Sequence, residues 1–177
     1  MTHHHQKRAD GFPEANHDHA TCVEEALERA GEICERRQVR LTPLRRRVLQ
    51  AVWSGHKPIG AYDILTMLTS ERGMTAPPTV YRALEFLLEN RLIHRIESLN
   101  AFVGCTKPGR DHAWQLLICR SCGRVAEISD TELEDSIAGA AARAGFTLQR
   151  RVIELAGLCS ACQDSQPAQR GDDGALV

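Results

Sequence analysis

Apolar residues recur at helical spacing through the first half of the chain and in shorter, strand-like runs through the second. Val23, Leu27, Ala30 and Cys34 fall on one face of a helix, which makes Cys34 a core thiol. Thr42-Pro43 is a helix start, with threonine as N-cap and proline at the first helical position. Leu44, Val48, Val52 and Trp53 continue that helix on one face, and Gly55 and Pro58 end it. Ala61, Ile64, Leu65 and Leu68 mark a third helix, closed by Gly73. Pro77-Pro78 opens a fourth, with Val80, Ala83, Leu84, Leu87 and Leu88 as its buried stripe. Apolar runs at 92–96 and 101–104 predict a hairpin joined through Ser98, Leu99 and Asn100.

Helices followed by a hairpin are the layout of a winged helix-turn-helix, with the helix from Pro78 as the reading helix. The second half has another rhythm. Runs at 114–118 and 125–128 predict strands, and Ser129-x-x-Glu132 is a capping box. It opens a helix through Leu133, Ile137, Ala141 and Ala144, with Gly145 as its stop, and 146–155 predicts a third strand. Such a small sheet has open edges, which favours pairing with a second copy of the chain. The expected class is therefore α+β. A disordered tail over 1–20, bearing His3, His4, His5, His17 and His19, precedes a winged-helix DNA-binding domain over 21–104. A hinge near 105 leads to a small α/β dimerisation domain over 106–163, and 164–177 forms a flexible tail.

Composition adds a location and a partner. With 42% hydrophobic and 25% charged residues in 177, the chain has the make-up of a soluble domain. A polar N-terminus and the lack of any apolar run of membrane-spanning length predict a cytoplasmic protein with no membrane partner. The net charge of −1 excludes a polycation. Even so, Arg36, Arg37, Arg40, Arg45, Arg46 and Arg47 crowd one stretch, and a local basic surface can bind nucleic acid. On the fourth helix Thr79, Tyr81 and Arg82 lie off the buried stripe. Backbone N–H groups at its start favour phosphate, and Arg82 can fork onto guanine O6 and N7. Glu85 and Glu89 keep the rest of the helix from the groove. The alternative is that Arg82 pairs with one of those glutamates on a solvated face.

Two sets of side chains can hold metal. Cys119 and Cys122 in C-R-S-C, with Cys159 and Cys162 in C-S-A-C, supply four soft thiolates for a closed tetrahedral site, the geometry of structural zinc. Two disulfides or four free thiols are the alternatives. His94, Cys105, His112 and Glu127 make a second set of borderline softness, suited to zinc and less well to iron. A strand histidine satisfied by ordinary hydrogen bonds and a plain buried thiol would account for the same residues. An enzyme is not expected: four ligands close a site that a hydrolase must leave open to water, and H-E-x-x-H is missing. A protein-binding module with two structural metals stays open.

The runs R-L-T-P-L-R (40–45), P-P-T-V-Y-R-A-L (77–84), H-R-I-E-S (94–98), C-R-S-C-G (119–123) and G-L-C-S-A-C (157–162) resemble the Fur family of bacterial metalloregulators. The resemblance spans about 22–165. A-Y-D-I-L (61–65) and V-I-E-L-A-G-L-C (152–159) fit the zinc-uptake-regulating branch. So does the lack of an H-H-D-H motif, where only Asp111-His112 stands. The resemblance implies a zinc-responsive repressor that binds operator DNA as a homodimer and controls zinc-uptake genes, with two zinc ions per subunit and no small-molecule substrate. It implies structural zinc on the four cysteines and regulatory zinc on His94, Cys105, His112 and Glu127. Tyr62 and Arg82 become base-contacting residues, with Tyr81 nearby and Arg45 on the basic stretch. An iron or peroxide sensor of the same family is the nearest alternative. The chain departs from the pattern in its histidine-bearing N-terminal extension and in the short loop between Cys105 and His112.

Overall fold

The computed structural model describes residues 11–12, 19–72, 76–109, 112 and 114–165. Most of both expected tails, and Gly73 as a helix stop, lie outside these residues. Helix α1 (His19–Arg36) buries Ala26, Leu27, Ala30, Ile33 and Cys34 along one face, so it takes in the last two residues of the expected tail. Helix α2 (Pro43–Val52) starts as read: the Thr42 hydroxyl accepts from the Arg45 N–H, a cap worth about 1 kcal/mol. Strand β1 (Ile59–Gly60) leads into α3 (Ala61–Arg72), and α4 (Pro77–Glu89) follows. The stripe of α4 includes Phe86, which the periodicity left out, while Leu88 is only half-buried.

Strands β2 (Ile93–Ile96) and β3 (Ala101–Gly104) form the hairpin, and β1 joins β3 as a third antiparallel strand. Helix α2 packs on α1, α3 and α4 over one apolar core that includes Val48, Leu49, Ile64, Leu84 and Leu87. Truncating such a leucine to alanine costs about 2–5 kcal/mol. Gly104 closes β3 flat against the Trp53 indole; a Cβ there would sit 2.1 Å from the ring. Only glycine fits that approach, and it sets where Cys105 leaves the sheet.

The second sheet has the order β5-β4-β6, from β4 (Gln115–Cys119), β5 (Val125–Ile128) and β6 (Glu154–Gly157). Strand β6 runs parallel to β4, and β5 antiparallel. Helix α5 (Thr131–Arg143) is capped by Asp130, whose carboxylate accepts from the Leu133 N–H. The expected capping box on Ser129 is thus one residue early. The expected strand over 146–155 forms only at its end, as Glu154–Gly157. Its apolar residues are only partly covered within the chain: Leu155 pairs with Leu117 of β4, yet Phe146, Val152 and Leu155 are exposed, and α5 buries no residue. A five-residue helix, α6 (Ser160–Asp164), ends the described chain. No helix among the described residues is long and apolar enough to cross a membrane.

The two sheets meet. Along β2, His94 and Ile96 face one way and Arg95 the other. Ile96 packs with Leu116, Ile118 and Val125, joined by Val103 and Trp114, so the underside of the hairpin forms a second core with the second sheet.

Candidate metal centres and nucleic-acid interface

Among the described residues, two groups of side chains bring their ligand atoms within 4.8 Å of one another: Cys119, Cys122, Cys159 and Cys162, and His94, Cys105, His112 and Glu127. The first group sits at one end of the second sheet. The parallel pairing of β4 with β6 sets Cys119 opposite Gly157, two residues before Cys159. Gly123 turns the chain back at φ +72°, and its N–H donates to the Cys119 carbonyl at 2.9 Å. Cys159 caps α6, and its carbonyl accepts from the Cys162 N–H at 2.9 Å. Cys122 Sγ lies 3.8 Å from Cys159 Sγ, and none of the seven cysteines is in a disulfide.

Donors already point at these sulfurs. The Cys159 N–H reaches Cys119 Sγ at 3.4 Å; Arg124 donates to Cys122 Sγ at 3.4 Å and to Cys159 Sγ at 3.6 Å. Backbone donors at Cys122 and Cys159 hold the Cys119 thiol down, to about 5, against the effect of burial. The Arg124 side chain lowers Cys122 in the same way. Cys162 goes the other way, to about 11: a hydrogen bond with Ser121 lowers it, but crowding by Cys159 and burial win. Sulfurs stabilised as thiolates, with a cation beside them, fit a divalent soft metal. Arg124 was missed in the sequence; a cation two residues past a ligand cysteine was the available signal.

The second group draws on four places. His94 stands on β2, Cys105 follows β3 with its N–H on the Leu92 carbonyl at 3.1 Å, and Glu127 stands on β5. His112 lies in the connection to β4. Thr106 holds one Glu127 oxygen through its N–H at 2.7 Å and its hydroxyl at 2.9 Å. The other oxygen, Oε1, lies 2.6 Å from His112 Nε2, 3.3 Å from His94 Nε2 and 4.0 Å from Cys105 Sγ. His112 Nε2 is 3.9 Å from Cys105 Sγ. His94 is 5% exposed, with Trp114 stacked 4.2 Å from its ring.

The fit to a metal rests on His94. Its Nε2 is buried without a hydrogen-bond partner, and its approach to Glu127 lacks hydrogen-bond geometry. A buried polar nitrogen left unpaired is costly unless something else takes it up. Burial alone would raise the Glu127 carboxyl; His94 close by, then Thr106 and His112, outweigh it and bring it down to about 2. Burial, followed by the Glu127 charge, pushes the Cys105 thiol far up. Thr106 and Trp114 are the parts of this site that the sequence reading missed. Thr106 directly follows a ligand, but nothing in its spacing shows that it grips Glu127.

The nucleic-acid residues are placed more simply. Tyr62, at the start of α3, is 77% exposed, and Tyr81 on α4 is 55% exposed. Thr79 and Arg82 are exposed beside it, and no ion pair joins Arg82 to Glu85 or Glu89. Arg45 is half-buried, its guanidinium 3.5 Å over the Phe86 ring and bonded to the Arg40 carbonyl at 2.6 Å. The expected phosphate-binding amides at the start of α4 are not there. Pro77 and Pro78 carry no N–H, and Thr79 gives its own to the Ala76 carbonyl.

Residues 36–156 match the Ferric uptake regulator family. The chain belongs to that family. It is 43% identical over 143 residues to the zinc uptake regulation protein of Escherichia coli (strain K12), covering 80% of this chain and 84% of that one. A solved zinc uptake regulator complexed with zinc and DNA superposes with a TM-score of 0.76 at 42% identity, over 81% of this chain and 96% of that one. The holo form of XcZur gives 0.73 at 37% identity, over 79% and 98%. The winged-helix and small α/β architecture expected from the sequence is thus the family's fold.

Proposed function

We propose that the chain is a zinc-responsive transcriptional repressor. It acts as a cytoplasmic homodimer, binds double-stranded operator DNA when zinc-loaded and represses zinc-uptake genes. The observation that carries this is the position of the second ligand group. His94 belongs to the hairpin that packs with the reading head, Cys105 to the segment leaving it, and Glu127 to the second sheet. Only an arrangement with the two halves docked brings these four ligand atoms within 4.8 Å.

Two zinc ions per subunit suit the two groups. Cys119, Cys122, Cys159 and Cys162 hold the structural ion, and His94, Cys105, His112 and Glu127 the regulatory one. When bound, the regulatory ion supplies a cross-link between the halves; no open ligand position is needed, so the role is positional rather than enzymatic. The chain does the rest. Thr106 aims Glu127, Trp114 fixes the His94 ring, and the docked hairpin sets the attitude of α4. Tyr62, Thr79, Tyr81 and Arg82 present themselves to the groove, with Arg45 behind them. The apolar residues left exposed on the second half, Phe146, Val152 and Leu155, support the dimer. Metal and DNA then share one coupling free energy, about 1–3 kcal/mol or roughly 5–150-fold.

The test is operator binding at buffered free zinc, with DNA selected from random sequence by the loaded protein. Cys105→Ser should fold and dimerise but lose zinc-dependent binding by about 100-fold. Wild-type zinc dependence in that variant overturns the assignment.

A further inference from the structure

The hairpin is tied to the second half at a place that needs no metal. Its turn presents two backbone amides, those of Glu97 and Ser98. Both donate to one side chain, Glu154 at the start of β6: Glu97 N–H to Oε1 at 2.6 Å and Ser98 N–H to Oε2 at 3.2 Å. The turn is closed by Asn100 at φ +47°, whose N–H returns to the Glu97 carbonyl at 3.3 Å. Arg150, four residues before Glu154, reaches Glu97 Oε1 at 2.6 Å, and Arg95 holds Glu97 Oε2 at 3.3 Å.

Three attachments therefore line up along β2. His94 enters the mixed ligand group, Ile96 enters the shared core, and the turn beyond sits on Glu154. The last two act whether or not metal is present. Hydrogen bonds from amides to a carboxylate are the charge-assisted kind, stronger than neutral ones. Glu97 and Arg150 also line a cleft of about 430 Å³ that opens onto His94 and His112. The tie thus stands at the approach to the ligands without being one of them.

We propose that Glu154, seated on the Glu97 and Ser98 amides and backed by the Arg150–Glu97 pair, is a positioning latch that sets the free-zinc level at which the protein binds its operator. The inference rests on the zinc-repressor reading above. A protein whose competent arrangement is only partly populated shows an affinity reduced by that fraction. The latch raises the fraction before zinc arrives, so the set point depends on residues outside the ligand set.

The test compares wild type with Glu154→Ala, Glu154→Gln and Arg150→Ala. Circular dichroism and solution mass check fold and dimer. Hydrogen exchange at the Glu97 and Ser98 amides is measured with the four-cysteine group loaded and the mixed site stripped. Operator binding is measured across buffered free zinc. Glu154→Ala should speed exchange at both amides at least tenfold and raise the half-maximal free zinc about tenfold, with operator affinity restored at saturating zinc. Glu154→Gln keeps one acceptor oxygen and should fall between; it decides the matter if the alanine variant does not fold. Arg150→Ala should give a smaller shift of the same sign.

An unchanged zinc midpoint in a folded Glu154 variant overturns the latch, as does an operator affinity that saturating zinc does not restore. Zinc-independent binding by the wild type overturns the repressor reading instead. Exchange at the two amides then still reports whether the tie exists.

Discussion

Cys119 and Cys105 are both buried thiols, and their surroundings push them in opposite directions. Cys119 sits among backbone donors that favour its thiolate and bring it to about 5. Cys105 faces burial and then the negative Glu127, and goes up. Cys162 is raised as well, to about 11, so the contrast lies in how the two ligand groups are assembled. The four-cysteine group is assembled by one sheet and its turns, and it forms whenever β4 and β6 pair. The mixed group exists only when hairpin and second sheet are docked. On the proposed reading, a site preformed by local backbone, with Cys119 and Cys122 favoured as thiolates, would bind tightly and stay loaded. A site that must first gather its ligands and discharge a proton binds more weakly and reversibly. On that reading, one chain would carry the same ion as a fixture and as a signal.

The sharpest way to break this contrast is Cys119→Ser. Structural zinc contributes roughly 10–16 kcal/mol to folding in small zinc-finger peptides. Even a part of that loss should lower the thermal midpoint by about 10 °C or more, at about 2–4 °C per kcal/mol. The dimer should dissociate as well; unchanged mass and midpoint would make the two groups equivalent.

The next effect is on pH. A folded-state thiol raised as Cys105 is stays protonated through the neutral range, so zinc must displace its proton. Affinity at the mixed site should rise about tenfold per unit between pH 7 and 9, where each unit is worth 1.36 kcal/mol. Glu127, already ionised above about 2, adds no slope, and neither does Cys119 at the other site, where Cys162 is the thiol with a proton still to lose. Competition titrations against a zinc chelator measure this; a flat profile would remove the distinction between the thiols. The smallest effect is on Thr106. Thr106→Val removes the hydroxyl grip on Glu127 and should cost about tenfold in zinc affinity at the mixed site alone.

Much of the fold could be read from spacing. The helical stripes, the Thr42 cap and the hairpin follow from local pattern, because tertiary packing here agrees with propensity. Strand β1 was missed, since two residues after Pro58 carry no period. The strand expected over 146–155 came out short: only its last two residues pair with β4, while Phe146 and Val152 stay exposed. The Ser129 cap shifted to Asp130: both are good N-cap residues, Ser129 set for the Glu132 N–H and Asp130 for the Leu133 N–H, so the sequence leaves the start of α5 open by one residue. The four-cysteine site was legible because both spacings are local. The mixed site was not, except through family resemblance: its ligands lie on separate segments, each with an ordinary alternative. Thr106, Trp114 and Glu154 act across the interface between halves, and nothing beside them in the chain announces it.

The double proline that opens α4 has a consequence for search. A helix tip without amide donors leaves any generic hold on the sugar-phosphate rail to side chains such as the arginines at 36–47, in a chain whose net charge is −1. Such a reader would hold arbitrary sequence, with its roughly 10⁶–10⁹ competing positions, less tightly than a helix whose tip offers amide donors. On the proposed reading, discrimination would fall to what Tyr62, Tyr81 and Arg82 find on the base edges, and a small pool of repressor would stay free to answer a change in zinc.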